Sequence, residues 1–168
     1  IHMEIVKKIL DKIAEMIKYL LGILLAVMLI VALMEVFRRY FIGKSFAWSE
    51  ELIRYLIIWI SFLGGAIGYK YQNLVFFDMV LGKLKGKAKY AVVLMVNTIS
   101  LAFVSYIFVN SIQTLLKPSI LHQKSVGLQL PMIVPFLAAP IGLGLMILFA
   151  LYHYKVIIDH NREGGFDQ

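Results

Sequence analysis

The sequence predicts an all-α membrane protein: four transmembrane helices plus an N-terminal amphipathic interfacial helix and a short interfacial helix between spans two and three. All of it falls in a single transmembrane domain over residues 1–168. Three observations carry this expectation. Hydrophobic residues make up 61% of the chain and the mean hydropathy is +0.82, too apolar for a soluble domain of 168 residues. The apolar residues fall into a few runs long enough to cross a bilayer, separated by Lys, Arg and loop-forming residues. Finally, the length leaves little chain for a catalytic domain outside the membrane.

Two composition facts exclude further classes. The chain has no cysteine, which rules out disulfide staples, thiol catalysis and Cys-based zinc or iron–sulfur sites. The net charge of +7 is spread beside apolar spans instead of forming a basic domain, so the expected counterpart is anionic phospholipid and not nucleic acid.

Ile1-His2 ahead of Met3 reads as a cloning remnant, and the first apolar run carries no small-residue cleavage site of a signal peptide. Over residues 4–18, Ile5, Val6, Ile9, Leu10, Ile13, Met16 and Ile17 form one stripe with charged residues opposite, the pattern of a helix lying in the membrane surface or docked on a partner. Residues 19–34 are uncharged and the first span is expected over about 19–37, with Glu35 near its far end. A polar connection over 38–50 leads to the second span, about 51–69.

That second span begins with charge: Glu50, Glu51 and Arg54 sit where an apolar helix starts. Its uncharged part, residues 55–69, gives only about 22 Å of helix at ~1.5 Å per residue, against a hydrocarbon layer about 30 Å thick. The charges at its mouth therefore need partners or a thinned bilayer. Glu50 and Glu51 lie at i−4 and i−3 from Arg54, and Arg38 and Arg39 lie just upstream; structural ion pairs among Glu35, Arg38, Arg39, Glu50, Glu51 and Arg54 are expected. Ser49 before the glutamates suits a helix N-cap.

Residues 74–81 are broken by Asp78 and too short to span, and read as an interfacial helix; Lys83, Lys85, Lys87 and Lys89 then make a basic cluster suited to lipid. Residues 90–116 hold a third span ended by Lys117-Pro118, and residues 128–152 a fourth, with Pro131 in its first turn and Pro135 or Pro140 kinking it. Asn97, Ser100, Ser105, Asn110, Gln113 and Thr114 in the third span suit interhelical hydrogen bonds better than a wet pathway. With an even number of spans, residues 1–18, 70–89 and 155–168 share one side and carry eleven Lys and Arg against six on the other, which predicts cytoplasmic termini.

Close helix approach is expected on span two. Gly64 and Gly68 form a G-x-x-x-G face, and Ser61 with Gly65 a parallel row; the same pattern recurs at Ala138 and Gly142. These rows pack either against the chain's own helices or against a partner, an interface to which Trp48 and Trp59 are also candidates.

No catalytic constellation is expected. His2, His122, His153 and His160 are scattered, and too few ligands accompany the last two for a metal site. Glu35 admits another reading, the proton-coupled glutamate of a self-sufficient four-helix exporter. Arg38 and Arg39 at i+3 and i+4 argue against it, because a carboxylate held ionised by arginines shuttles protons poorly.

The stretch from Arg39 onward resembles the small membrane subunit (DctQ type) of the tripartite ATP-independent periplasmic, or TRAP, transporters. The resemblance is carried by Arg39-Tyr40, by W-S-E-E-L at 48–52 with Arg54, by Trp59 within the span, by F-L-G-G-A at 62–66, and by Asp78, Pro131 and Pro140. Where many members carry a histidine after the second helix, this chain has Lys70-Tyr71-Gln72-Asn73. The resemblance implies a multi-pass protein of the bacterial inner membrane without cofactor, scaffolding a large membrane subunit. That subunit would take up an organic acid (a C4-dicarboxylate, a sialic acid or similar) with sodium, delivered by a periplasmic substrate-binding protein.

Overall fold

The computed structural model describes residues 2–43, 46–71 and 86–162. It contains six helices among these residues: α1 (His2–Ile42), α2 (Ala47–Tyr71), α3 (Gly86–Leu115), α4 (Pro118–Leu121), α5 (Ile133–Phe136) and α6 (Ala138–Arg162). Four stretches are long and apolar enough to cross a membrane: Glu4–Ile42, Ala47–Tyr71, Ala88–Leu115 and Ile133–Asp159. The all-α, four-span class expected from the sequence is therefore the class observed. The expected interfacial helix over 74–81, with Lys83 and Lys85, lies outside the described residues.

The amphipathic stretch 4–18 and the first span form one unbroken helix, because no Gly or Pro interrupts residues 3–21. At 41 residues, α1 runs about 60 Å at ~1.5 Å per residue, twice the thickness of the hydrocarbon layer. It ends at Gly43, whose φ of 71° places it in the left-handed region that terminates helices.

The fourth span starts later than the apolar pattern suggests. Residues 123–132 fold into a tight loop in which the amide of Ser125 donates to the Leu130 carbonyl at 2.8 Å and that of Met132 to the Gln123 carbonyl at 2.9 Å. Pro131 is held in a bridge with Lys124 and is not a first-turn residue. α5 then stops at Phe136 and α6 restarts at Ala138. Pro140 accounts for the break, since it has no N–H to offer the Phe136 carbonyl and its ring crowds that carbonyl.

The long helices pack in the spatial order α1, α2, α6, α3, each against its neighbours in that row. The α2–α6 contact is closest at Gly142, where an added Cβ would fall 2.6 Å from the Phe62 Cβ, and at Gly65, where it would meet the Met146 methyl at 2.6 Å. Leu10 and Ala14 of α1, Ala66 of α2 and Phe149 of α6 make the buried cluster that ties these three helices together. The stripe expected to dock on membrane or partner thus buries Leu10 and Ile17 within the chain, with Ala14 beside them, while Ile5, Val6, Ile9 and Met16 stay exposed. The outer helices of the row remain open: 6% of the apolar window of α1 and none of that of α3 is buried, against 33% for the fourth span.

Candidate functional site

Two polar junctions sit at opposite ends of α2. Glu51 and Lys70 are nineteen residues apart on that helix. At ~1.5 Å per residue that is about 29 Å, close to the thickness of the hydrocarbon layer. The junctions thus lie where the two membrane boundaries would fall.

At the first junction the Glu51 carboxylate collects three donors. The Tyr55 hydroxyl donates to Oε1 at 2.5 Å, and the amides of Gly127 and Leu128 both donate to Oε2 at 2.9 Å. Charge-assisted bonds of this kind are the strong class and hold the loop before α5 on the start of α2. Gly127 must be glycine for the approach, because a Cβ there would lie 2.7 Å from Glu51 Oε2 and 2.8 Å from the Ala47 carbonyl oxygen. Beside it, the fully buried Ser49 donates its hydroxyl to Glu35 at 2.5 Å and lies 2.8 Å from the Phe46 carbonyl, which joins α1 to α2. Ser49 is the third residue of α2, not its N-cap. The Arg38 Cζ lies over the Phe46 ring, 2.9 Å from its centroid, and Phe46 in turn packs on Trp48.

At the second junction Lys70 is buried in the last turn of α2, where a cation suits the negative end of the helix. Its ammonium donates to the Leu10 carbonyl at 2.8 Å and to the Asp11 carboxylate at 2.7 Å. The Lys70 carbonyl accepts from His153 Nε2–H at 2.9 Å, an arrangement that fixes the proton on Nε2 because a carbonyl can only accept. Tyr69 donates to Asn97 Oδ1 at 2.6 Å, and Asn97 donates onward to the Ala150 carbonyl at 3.4 Å. Side chains of α1, α2, α3 and α6 meet here. Among the described residues no three His, Asp or Glu side chains gather as metal ligands would.

The structure brings Glu35, Ser49 and Glu51 to one boundary with Arg38 close by. Arg39, Glu50 and Arg54 lie on the exposed side of the same region. Asn97 serves as an interhelical bond, as expected of the polar residues of span three, whereas Asn110 bonds back to Tyr106 of its own helix. Gly65 and Gly142 pack within the chain; Gly64 and Gly68 have nothing within 4 Å of an added Cβ. Ser61 is exposed and Trp59 half-buried, and Lys89 lies in the first turns of α3, in which Lys87 also falls. His153, given no metal role by the sequence, is a structural donor to the Lys70 carbonyl. The roles of Lys70, Asp11 and Tyr55 were not visible in the sequence, although an intramembrane-end lysine directly following an apolar run was the signal available for Lys70.

A row of four membrane-crossing helices clamped at both ends, without a gathered catalytic set among the described residues, is the architecture of a small multi-pass membrane component. The chain matches the DctQ component of the tripartite ATP-independent periplasmic transporters over residues 28–158 and belongs to that family. It is thus a multi-pass inner-membrane component of a transporter. It is also similar to the isethionate TRAP transporter permease protein DctMQ of Oleidesulfovibrio alaskensis, 27% identical over 99 residues. That stretch is 59% of this chain and 16% of the relative, so the chain spans a small fraction of the relative's length.

Proposed function

We propose that this chain is the small membrane subunit of a TRAP-type secondary transporter and scaffolds a large transport subunit. The large subunit carries out sodium-coupled uptake of an organic acid delivered by a periplasmic binding protein. The observation that supports this reading is the division of labour within the row. One charge at each end of α2 is committed to internal bonds, Glu51 to Tyr55 and two amides and Lys70 to Asp11 and Leu10, while α1 and α3 leave their apolar faces uncovered. A part that is stiff within and apolar without suits bracing a second membrane protein.

The solute belongs to the organic acids, C4-dicarboxylate, sialic acid or similar, and the relative's name extends that class to a sulfonate, isethionate. The relative's extra length leaves room for a large companion portion joined to a part like this chain. Trp48, Trp59, Ser61 and the open glycines Gly64 and Gly68 are candidates for the companion's surface, and Lys83, Lys85, Lys87 and Lys89 for anionic lipid at the cytoplasmic boundary. Co-purification of the tagged chain with its large companion tests the reading: a stable one-to-one complex is expected, and failure to co-purify in gentle detergent contradicts it.

A further inference from the structure

Between the N-terminal half of α1 and the last turn of α2 lies a cleft of about 520 Å³ lined by Asp11, Glu15, Lys18, Tyr19 and Tyr71. Its charges are ordered. Asp11 is already matched by Lys70 at 2.7 Å. The Lys18 ammonium stands 3.8 Å from the centroid of the Tyr71 ring, which fixes it on one wall, and Glu15 is exposed one turn away on α1. Once the Asp11–Lys70 pair is set aside, one acidic and one basic side chain remain among the described residues of the lining. An anion site would show a basic excess and a cation site an acidic one; a lining with one of each and no net charge fits a zwitterion.

The level of the cleft is equally specific. Tyr19 opens the uncharged run of α1, and Tyr71 follows Lys70 just beyond the uncharged run of α2 that ends at Tyr69. The cleft therefore sits at the apolar–polar boundary, where lipid head groups and tyrosine side chains collect. Inward from it each helix carries glycine on the face that lines the cleft. Asp11, Glu15, Lys18 and Gly22 follow one another at four-, three- and four-residue steps on one face of α1, and Tyr71, Gly68 and Gly64 do the same in reverse on α2. At Gly22, Gly64 and Gly68 an added Cβ would meet nothing within 4 Å.

We propose that this cleft binds a zwitterionic glycerophospholipid with a primary ammonium head group. Lys18 takes the phosphate, Glu15 accepts hydrogen bonds from the ammonium, and one acyl chain runs inward along the glycine stripes. A trimethylammonium head group cannot donate those bonds, and on the Tyr71 ring it would meet the Lys18 ammonium, which leaves it only the exposed Tyr19 ring. The transport reading offers Gly64 and Gly68 to the companion subunit, and the test below separates that occupant from a lipid.

Native mass spectrometry of the purified full chain, released from micelles doped with equal amounts of phosphatidylethanolamine, phosphatidylcholine and phosphatidylglycerol, tests it. Phosphatidylethanolamine adducts should dominate. Glu15→Gln should lower the ethanolamine-to-glycerol adduct ratio about threefold, the scale of one exposed ion pair. Lys18→Gln should weaken both adducts, and Gly68→Leu, which changes no charge, should reduce phosphatidylethanolamine retention while the lipid-free melting curve stays in place. Equal loading of the three lipids by the unmodified chain, a preference for phosphatidylglycerol, or an adduct ratio untouched by Glu15→Gln would each overturn the assignment. Loss of the companion subunit in Gly68→Leu with lipid retention unchanged would make the stripe a helix-docking face and overturn it as well.

Discussion

The Lys70 ammonium lies 2.7 Å from the Asp11 carboxylate, fifty-nine residues earlier in the chain, and its side chain is 6% exposed where that of Asp11 is 54% exposed. The asymmetry sets the expected response to mutation. Asp11→Asn leaves a buried ammonium with neutral acceptors only, the Leu10 carbonyl and the new amide oxygen, so about 1–2 kcal/mol of stability should be lost, less than the 3–5 kcal/mol of a fully buried pair because water reaches Asp11. Adding Lys70→Met should recover part of that loss, since the stranded charge is removed. Melting of the single and double variants checks both signs.

Glu51 should be the more sensitive carboxylate. Glu51→Gln keeps one acceptor oxygen for three donors, and the lost charge-assisted bonds predict about 2–3 kcal/mol of destabilisation. Tyr55→Phe should cost less, and the double variant should fall short of the sum because the two residues share one bond. A thermodynamic cycle on the four proteins measures the shortfall.

The glycines should separate cleanly. Gly142→Ala forces the α2–α6 contact apart, where the nearest atoms include the Phe62 backbone at 2.9 Å, and a loss of about 1–3 kcal/mol is expected from overpacking. Gly64→Ala meets nothing within the chain and should be neutral or gain up to about 1 kcal/mol in helix propensity. Equal losses at the two positions would contradict the packing described.

The eleven-to-six distribution of Lys and Arg predicts cytoplasmic termini. In this cysteine-free chain, Ser45→Cys should react with an impermeant maleimide in spheroplasts and Lys85→Cys should not. The reverse pattern would invert the topology.

The number of spans was legible in the sequence because it depends on the length of apolar runs, a property local to each segment. The neighbours of each helix were not. Glu51 finds its amide donors 76 and 77 residues away and Lys70 its acceptors 59 and 60 residues away, distances over which helical spacing says nothing. Spacing suggests Arg54 for Glu51 because both lie on one helix, but the nearby loop presents two free amides to the same carboxylate. The late start of the fourth span has the same origin: residues 128–132 are apolar enough for a helix, yet the Leu128 amide goes to Glu51 and the backbone groups of Leu130 and Met132 bond to Ser125 and Gln123. Gly65 and Gly142 were recognisable as close-approach residues, while which of the four glycines in question faced inward depended on the order α1, α2, α6, α3.

The scaffold account is tested most directly by flux in proteoliposomes. With the large companion subunit and the loaded periplasmic protein, the chain should support organic-acid uptake driven by an inward sodium gradient, and leaving it out should abolish that uptake. The chain by itself should move neither an organic acid nor a cationic dye under a sodium, proton or voltage gradient. Gradient-driven flux through the chain alone, lost on Glu35→Gln, would contradict the account and assign the transport step to this chain.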